Sequence, residues 1–196
     1  MATQTEIAVK RFIADTRELF ATEQDPEKRW GQMTPLLKKL LADPDFQLNS
    51  KDWPYCIPTD RAENLIFYED PDYGFCINGL VKQPNRPTRI HDHAHIYTLY
   101  GLMDGTETIE RYERLDDRSK PDYALVRQTD ELLIRPGDVD LVGPWQIHTE
   151  INTSERSVAV ILRSERQGEF LQGRYEPVTN KYYQGLGPRY TPYNLF

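Results

Sequence analysis

The sequence predicts an all-β fold, a sandwich or barrel of short strands, with a helical segment in front of it. Three observations lead there. From about residue 63 the chain is a succession of short β-like runs broken by turn residues, with no helical pattern between them. The residues before that carry apolar side chains at helical spacing. All four histidines fall in two short segments of the β-like part, where alternation along strands can gather side chains onto one face.

The helical segment is assigned to residues 1–60. Thr5 to Glu23 places Ile7, Val9, Phe12, Ile13, Leu19 and Phe20 on roughly one face. A second helix is expected to start at Asp25-Pro26, with proline at the first helical position, and to run through Trp30, Met33, Leu36, Leu37, Leu40 and Leu41. It stops at the Asp43-Pro44-Asp45 turn signal, and the connector KDWPYCIPTD leads into the barrel, assigned to residues 61–196. The first expected strands are NLIFYE and YGFCINGLV, on either side of an EDPD turn. HIYTLYGLM and ETIERYERL follow, hinged at Asp104-Gly105, a hairpin dipeptide. Next come DYALVRQ, ELLIRP, VDLVG, IHTEIN and SVAVILRS. The tail from Gly168 is rich in Tyr, Pro and Gly, and its aromatic side chains are expected to pack across the barrel.

Composition narrows the function. A chain of 196 residues suits one domain, and 38% hydrophobic with 28% charged residues is ordinary for a soluble protein. The longest apolar runs, such as VAVIL at 158–162, are too short to cross a bilayer, so no membrane association is expected. The N-terminus has no uninterrupted apolar stretch of secretory type, which points to the cytoplasm. Cys56 and Cys76 lack CxxC spacing and are expected to be reduced thiols. A net charge of −7, without a basic cluster beyond Lys38-Lys39, argues against nucleic acid as a partner. Exposed barrel edges are compatible with a homodimer.

The histidines carry the functional argument. In His91-Asp92-His93-Ala94-His95, alternate residues on a strand share a face, so His91 and His93 can present two imidazoles side by side. His148, on a distant strand, would complete a set of three nitrogens and leave positions open for a substrate. The competing reading is a solvated, histidine-rich edge that binds metal only adventitiously.

Context favours a built site. The run from His91 to the Gly105 turn is followed by Pro136-Gly137-Asp138, then His148 and Asn152. This order resembles the paired signatures of the cupin superfamily. The first is an HxH, a strand and a glycine turn; the second is a PGD-type turn, a lone histidine and an asparagine. The fold implied is the cupin double-stranded β-helix. The carboxylate usual in the first signature is missing, its positions being taken by Tyr97 and Thr98. A three-histidine site without it is similar to that of the thiol dioxygenases, the cysteine dioxygenase and 3-mercaptopropionate dioxygenase group. RIHDHAHIYTLYGLMDG resembles their IHDH segment, with the same interval to the glycine. The specific likeness is confined to roughly residues 88–112 and 136–152. It implies a mononuclear ferrous iron on His91, His93 and His148. A substrate thiolate and O2 would take the open positions, and both oxygen atoms would go to sulfur. Zinc, nickel, manganese and copper remain open alternatives to iron.

The sequence also departs from that group. Their Ser-His-Tyr triad falls here on Ala159, Ile161 and Arg163, so no member of it is present. Strand alternation would aim Arg163 into the metal pocket as a catalytic group, whereas a place just past the strand would let it reach solvent. Arg61 stands near the group's substrate-anchoring arginine by position alone, and a plain surface arginine is the alternative. The cysteine that some members crosslink to a tyrosine falls on Thr98, so no crosslink is expected. Thr98 is kept as a substrate contact and Tyr97 as a catalytic candidate. His95 shares the parity of His91 and His93, which suggests an acid/base role at the pocket or a place among the ligands. Glu150 shares the parity of His148. Facing inward it would be a fourth ligand, a proton acceptor or a substrate contact; a rim carboxylate facing water is the favoured reading. Trp145 either roofs the pocket as a substrate contact or belongs to the core. Asp92 should point away from the ligands and fix its segment by hydrogen bonds.

The leading function is a ferrous dioxygenase of the cupin superfamily acting on a small molecule, with a thiol first. A cupin dioxygenase or lyase that cleaves a carbon–carbon bond is the second enzymatic reading. The third is a non-catalytic metal-binding or sensor cupin, which predicts a site without an open position or a pocket sealed by the Tyr-rich tail.

Overall fold

A computed structural model describes residues 3–84 and 88–195. The chain opens with α1 (Gln4–Thr22) and α2 (Pro26–Leu41), close to the expected bounds. The Thr3 hydroxyl accepts from the Glu6 amide, and the Asp25 carboxylate accepts from the Glu27 and Lys28 amides, so each helix begins on a capping side chain. Asp43-Pro44 does end α2, but it also starts a short helix the sequence reading did not foresee, α3 (Pro44–Asn49). Asp43 caps it as Asp25 caps α2, so the same dipeptide that reads as a stop also serves as a start. A single 3-10 turn at Ser50–Asp52 completes the helical segment. No helix among the described residues is long and apolar enough to cross a membrane.

The rest is a double-stranded β-helix built of two facing sheets. Six strands form the larger sheet, in the order β11 (Arg189–Pro192), β1 (Glu63–Glu69), β2 (Cys76–Lys82), β8 (Ser157–Arg163), β3 (Thr98–Asp104) and β6 (Val139–Val142). β5 (Val126–Ile134), β4 (Glu107–Arg114) and β7 (Ile147–Asn152) form a smaller sheet, and β9 (Leu171–Glu176) with β10 (Lys181–Leu186) forms a hairpin. DYALVRQ and ELLIRP, expected as two strands, are joined in β5. A register shift opposite Arg111/Tyr112 on β4 absorbs Thr129 between them. The tail is anchored through β11, which pairs parallel with β1.

The larger sheet is buried on both faces, which explains the unbroken apolar run VAVIL (158–162) within β8. Val158, Val160 and Leu162 join Val9, Phe12, Trp30, Met33, Leu37 and Leu41 in one core between the sheet and the helices. Ala159 and Ile161 face the other way and meet Tyr100, Leu102, Ile109 and Ile134, side chains drawn from both sheets. The two sheets therefore pack face to face, and the odd-numbered positions of β8 look into the space between them. At Gly101 on β3 the side chains of α2 come close to the sheet. A Cβ there would stand 2.8 Å from Leu41 Cδ1 and 3.0 Å from Leu37 Cδ2. Gly101→Val should therefore overpack this contact and cost about 1–3 kcal/mol, seen as a thermal midpoint several degrees lower by circular dichroism. Metal content should be unchanged, because the perturbation lies on the helix side of the sheet.

Candidate metal centre

The site is built by β7 and by the segment that runs beside it. His148 and Glu150 alternate on β7 and are both buried. Residues 88–93 do not form a regular strand. They reach β7 through a bridge in which the amides of His91 and His148 each donate to the other's carbonyl at 2.9 Å. The Thr88 amide donates to the Glu150 carbonyl at 3.0 Å. This pairing puts the rings of His91 and His148 4.5 Å apart, centre to centre. His93 follows in a loop, its ring centre 4.9 Å from that of His91 and 4.7 Å from that of His148. One potential ligand atom from each of His91, His93, His148 and Glu150 lies within 4.8 Å of the others.

Hydrogen bonds decide which nitrogens are free. His91 Nδ1 sits 2.7 Å from the Arg89 carbonyl, and His148 Nδ1 sits 3.2 Å from the Gln146 carbonyl. A carbonyl only accepts, so both Nδ1 atoms carry a proton, which leaves the Nε2 atoms as the ones that can hold a metal. His91 Nε2 is 3.0 Å from His93 Nε2, and His148 Nε2 is 3.3 Å from Glu150 Oε1. Buried, His148 Nε2 has no hydrogen-bond partner among the described residues. Converging lone pairs beside a carboxylate are what a divalent transition metal requires, so the donor set fits such an ion.

Electrostatics agree. Burial, with His148 as the next cause, lowers the His91 pKa to about 3. Burial, then His148 and His91, holds His93 well below the usual imidazole value. Both rings are thus neutral at physiological pH, the form that binds metal. Burial works against ionisation of Glu150, but His148 and the Lys82 ammonium outweigh it and hold the carboxyl well below its usual range. Thr88 donates to Glu150 Oε2 at 2.6 Å and orients it.

Asp92, as expected, faces away from the ligands and ties down their loop. Its Oδ1 accepts from the amides of Ala94 at 2.9 Å and Gly173 at 3.0 Å, and its Oδ2 accepts from Tyr175 Oη at 2.7 Å. Any Cβ at position 173 would fall 2.3 Å from Asp92 Oδ2, so glycine is required for that approach. The C-terminal hairpin is therefore part of the site's scaffold.

Several sequence expectations need correction. His95 does not line the pocket: its side chain is half-exposed, 3.1 Å from Glu165 Oε2. The cause is Ala94, whose φ of +53° makes a turn that resets the alternation. The strand proper begins only at Thr98, so Tyr97 falls on the opposite face, stacked on Trp30 at 5.8 Å against the helices. Trp145 does not roof the pocket; it is 56% exposed in a left-handed turn, its amide donating to the Ala94 carbonyl. Glu150, read as a rim carboxylate, is instead buried within the cluster. Thr98 is fully buried on the interior face, paired in register with Arg163.

A cavity of about 520 Å³ opens beside the cluster, and its wall includes His91, Glu150, Lys82, Tyr100, Arg61 and Arg163. Arg61 and Arg163 thus both face this cavity rather than bulk water. Sequence reasoning missed the group behind that wall. Lys82 Nζ and Tyr100 Oη lie 2.7 and 2.8 Å from Glu107 Oε2, and Ser157 donates to Glu107 Oε1 at 2.5 Å. The signal was present: Asn78, Leu80 and Lys82 share one parity of β2, opposite to the apolar Ile77 and Val81.

Comparison with protein-family models and with curated proteins gives no match. Solved structures give matches in fold. The Cnp3 cupin domain of Schizosaccharomyces pombe is 7% identical at a TM-score of 0.41, over 53% of this chain and 64% of that one. KdgF from Halomonas sp. is 14% identical at a TM-score of 0.41, over 53% of this chain and 77% of that one. A conserved protein with a double-stranded β-helix domain from Klebsiella pneumoniae is 14% identical at a TM-score of 0.38, over 69% of this chain and 87% of that one. This chain spans less than two thirds of the Cnp3 cupin domain. The likeness to these proteins is one of fold alone, the double-stranded β-helix that the strand order and sheet packing already describe.

Proposed function

We propose that this protein is a mononuclear non-haem metal enzyme that incorporates O2 into a small molecule, with ferrous iron as the metal and a thiol as the first substrate class. One observation carries the reading. The imidazoles of His91, His93 and His148 converge with the Glu150 carboxylate at the wall of a cavity large enough for a small ligand. Iron bound there would supply a redox-active centre for chemistry with O2. The chain's own contribution is to keep the His91 and His93 imidazoles neutral, to fix those of His91 and His148 by their Nδ1 hydrogen bonds, and to hold Glu150 through Thr88. Leu80 and Ile161 give the cavity apolar wall that displaces water from a bound substrate.

Glu150 favours a second reading alongside the first. A carboxylate beside three imidazoles departs from the three-histidine pattern of the thiol dioxygenases, and it suits a cupin dioxygenase or lyase that cleaves a carbon–carbon bond. The non-catalytic reading requires a sealed pocket. The tail lines the cavity through Tyr183, Gly185, Leu186 and Pro188 without filling it, which supports catalysis.

Metal analysis of protein purified without chelators should find near-stoichiometric iron, lost in His91→Ala and His148→Ala. Absence of bound metal in the native protein would sink the proposal. Glu150→Gln should retain the three imidazoles and bind metal more weakly by about tenfold or more, measured by competition with a chromophoric chelator. Unchanged affinity in that variant would remove Glu150 from the ligand set and return the site to the three-histidine type. Oxygen uptake with sulfinate formation would select the thiol reading, and carbon–carbon cleavage of a small diketone would select the other.

A further inference from the structure

The smaller sheet ends on an edge left open by the rest of the chain. β5 is nine residues long, and its outer side pairs with no other strand among the described residues. The seven residues between Val126 and Ile134 are all exposed. Unpaired amides and carbonyls along such an edge are a template for another strand. The other free edges are blunted. β6 and β11 are four residues each, and β11 ends on Pro192. β10 is six residues and carries Lys181 and Gly185. Apolar side chains gather on the open edge as well. Of the seven exposed leucines among the described residues, Leu115, Leu125, Leu132 and Leu133 lie on β5 or directly beside it, at 39–48% exposure. Exposed apolar side chains grouped along an unpaired ladder mark an interface.

The residues of β5 complement a second copy of the same strand. Pairing with β4 sets the direction of each side chain. Leu132 lies opposite Ile109 and Asp130 opposite Arg111, on the side that faces the larger sheet. Glu131 and Leu133 lie opposite Glu110 and Thr108, on the outer side. The register shift at Thr129 resets the alternation. Arg127 therefore shares the side of Asp130 and Leu132, while Val126 and Gln128 share that of Glu131 and Leu133. A two-fold axis perpendicular to the sheet, between residues 129 and 130, preserves both sides and makes the two strands antiparallel. It sets Val126 against Leu133 and Leu125 against Ile134 of the second copy, apolar on apolar, and Gln128 against Glu131. Arg127 lays its stem on Leu132 and stands diagonal to Asp130, of opposite charge. Within its own chain Arg127 pairs with Glu113, and both side chains are exposed, so the guanidinium can serve both carboxylates.

We propose that β5 is the interface of a homodimer, in which two copies pair antiparallel across this edge and join their three-stranded sheets into one of six strands. A two-fold contact is self-complementary, so each favourable pair occurs twice. β5 and β7 are the opposite edges of the smaller sheet, and β7 carries His148 and Glu150. No residue of β5 lines the cavity, so the metal centre stays open in the dimer. The proposal is independent of which metal or substrate the site takes.

Sedimentation velocity on the full-length protein at about 100 µM should give the mass of two chains. Leu132→Lys combined with Leu133→Lys should weaken association by about tenfold or more, because each lost contact is lost twice. Both side chains are exposed, so the circular dichroism spectrum of this variant should match that of the native protein. Charge reversal tests the register. Arg127→Glu or Asp130→Arg alone should weaken the dimer, and the two together should restore it, which a role confined to one chain would not produce. A monomer at that concentration, native association in the leucine variant, or no rescue by the double reversal would overturn the proposal.

Discussion

The interior of this protein depends on a buried lysine and glutamate that face each other across the two sheets. Lys82 comes from β2 of the larger sheet and Glu107 from β4 of the smaller one, and neither reaches solvent to a meaningful extent. Tyr100 on β3 and Ser157 on β8 donate to the same carboxylate, so Glu107 is satisfied by three strands of the opposite sheet. Losing one partner of such a pair typically costs about 3–5 kcal/mol, because the remaining charge stays buried. The pair therefore does more than join two sheets. It lets a polar cavity exist beside the apolar cluster of Leu102, Ile109, Ile134 and Ala159.

From that arrangement the division of labour between the two faces of the larger sheet follows. One face is covered by α1 and α2 and is apolar throughout, with Gly101 admitting α2 closely. The other carries Asn78, Lys82, Tyr100 and Arg163 between apolar neighbours. Stability is concentrated on the helix side by area burial, while the inner side spends part of its packing on groups that need a ligand or a partner. Most of the buried donors without a partner lie on the inner side, and the Thr16 hydroxyl on α1 is an exception among the helices.

The histidine loop is held from two directions. β7 pairs with His91 through backbone hydrogen bonds, and the C-terminal hairpin grips Asp92 through Gly173 and Tyr175. A segment with no regular strand geometry thereby acquires one defined position, which is what places three rings within 5 Å of one another. The tail is accordingly a structural member of the site, and it also walls the cavity.

Much of this was legible in the sequence because it depends on local periodicity. The helices, their Asp-Pro starts, the turns at Gly105 and Gly137 and the alternation of β7 and β8 are all short-range features. Gly105 has a φ of +81° and Gly137 of +94°, conformations that few other residues tolerate. The three histidines could be grouped for the same reason, from spacing and turn chemistry. What the sequence could not decide was the facing of residues after a break in alternation. Ala94 adopts a left-handed conformation, and this one turn sends His95 to solvent and Tyr97 to the helices, against the parity argument. Burial of Glu150 and Arg163, and the pairing of Lys82 with Glu107, were likewise settled only by tertiary structure. Each depends on a partner distant in the chain, and parity names a face of a strand without saying what that face will meet.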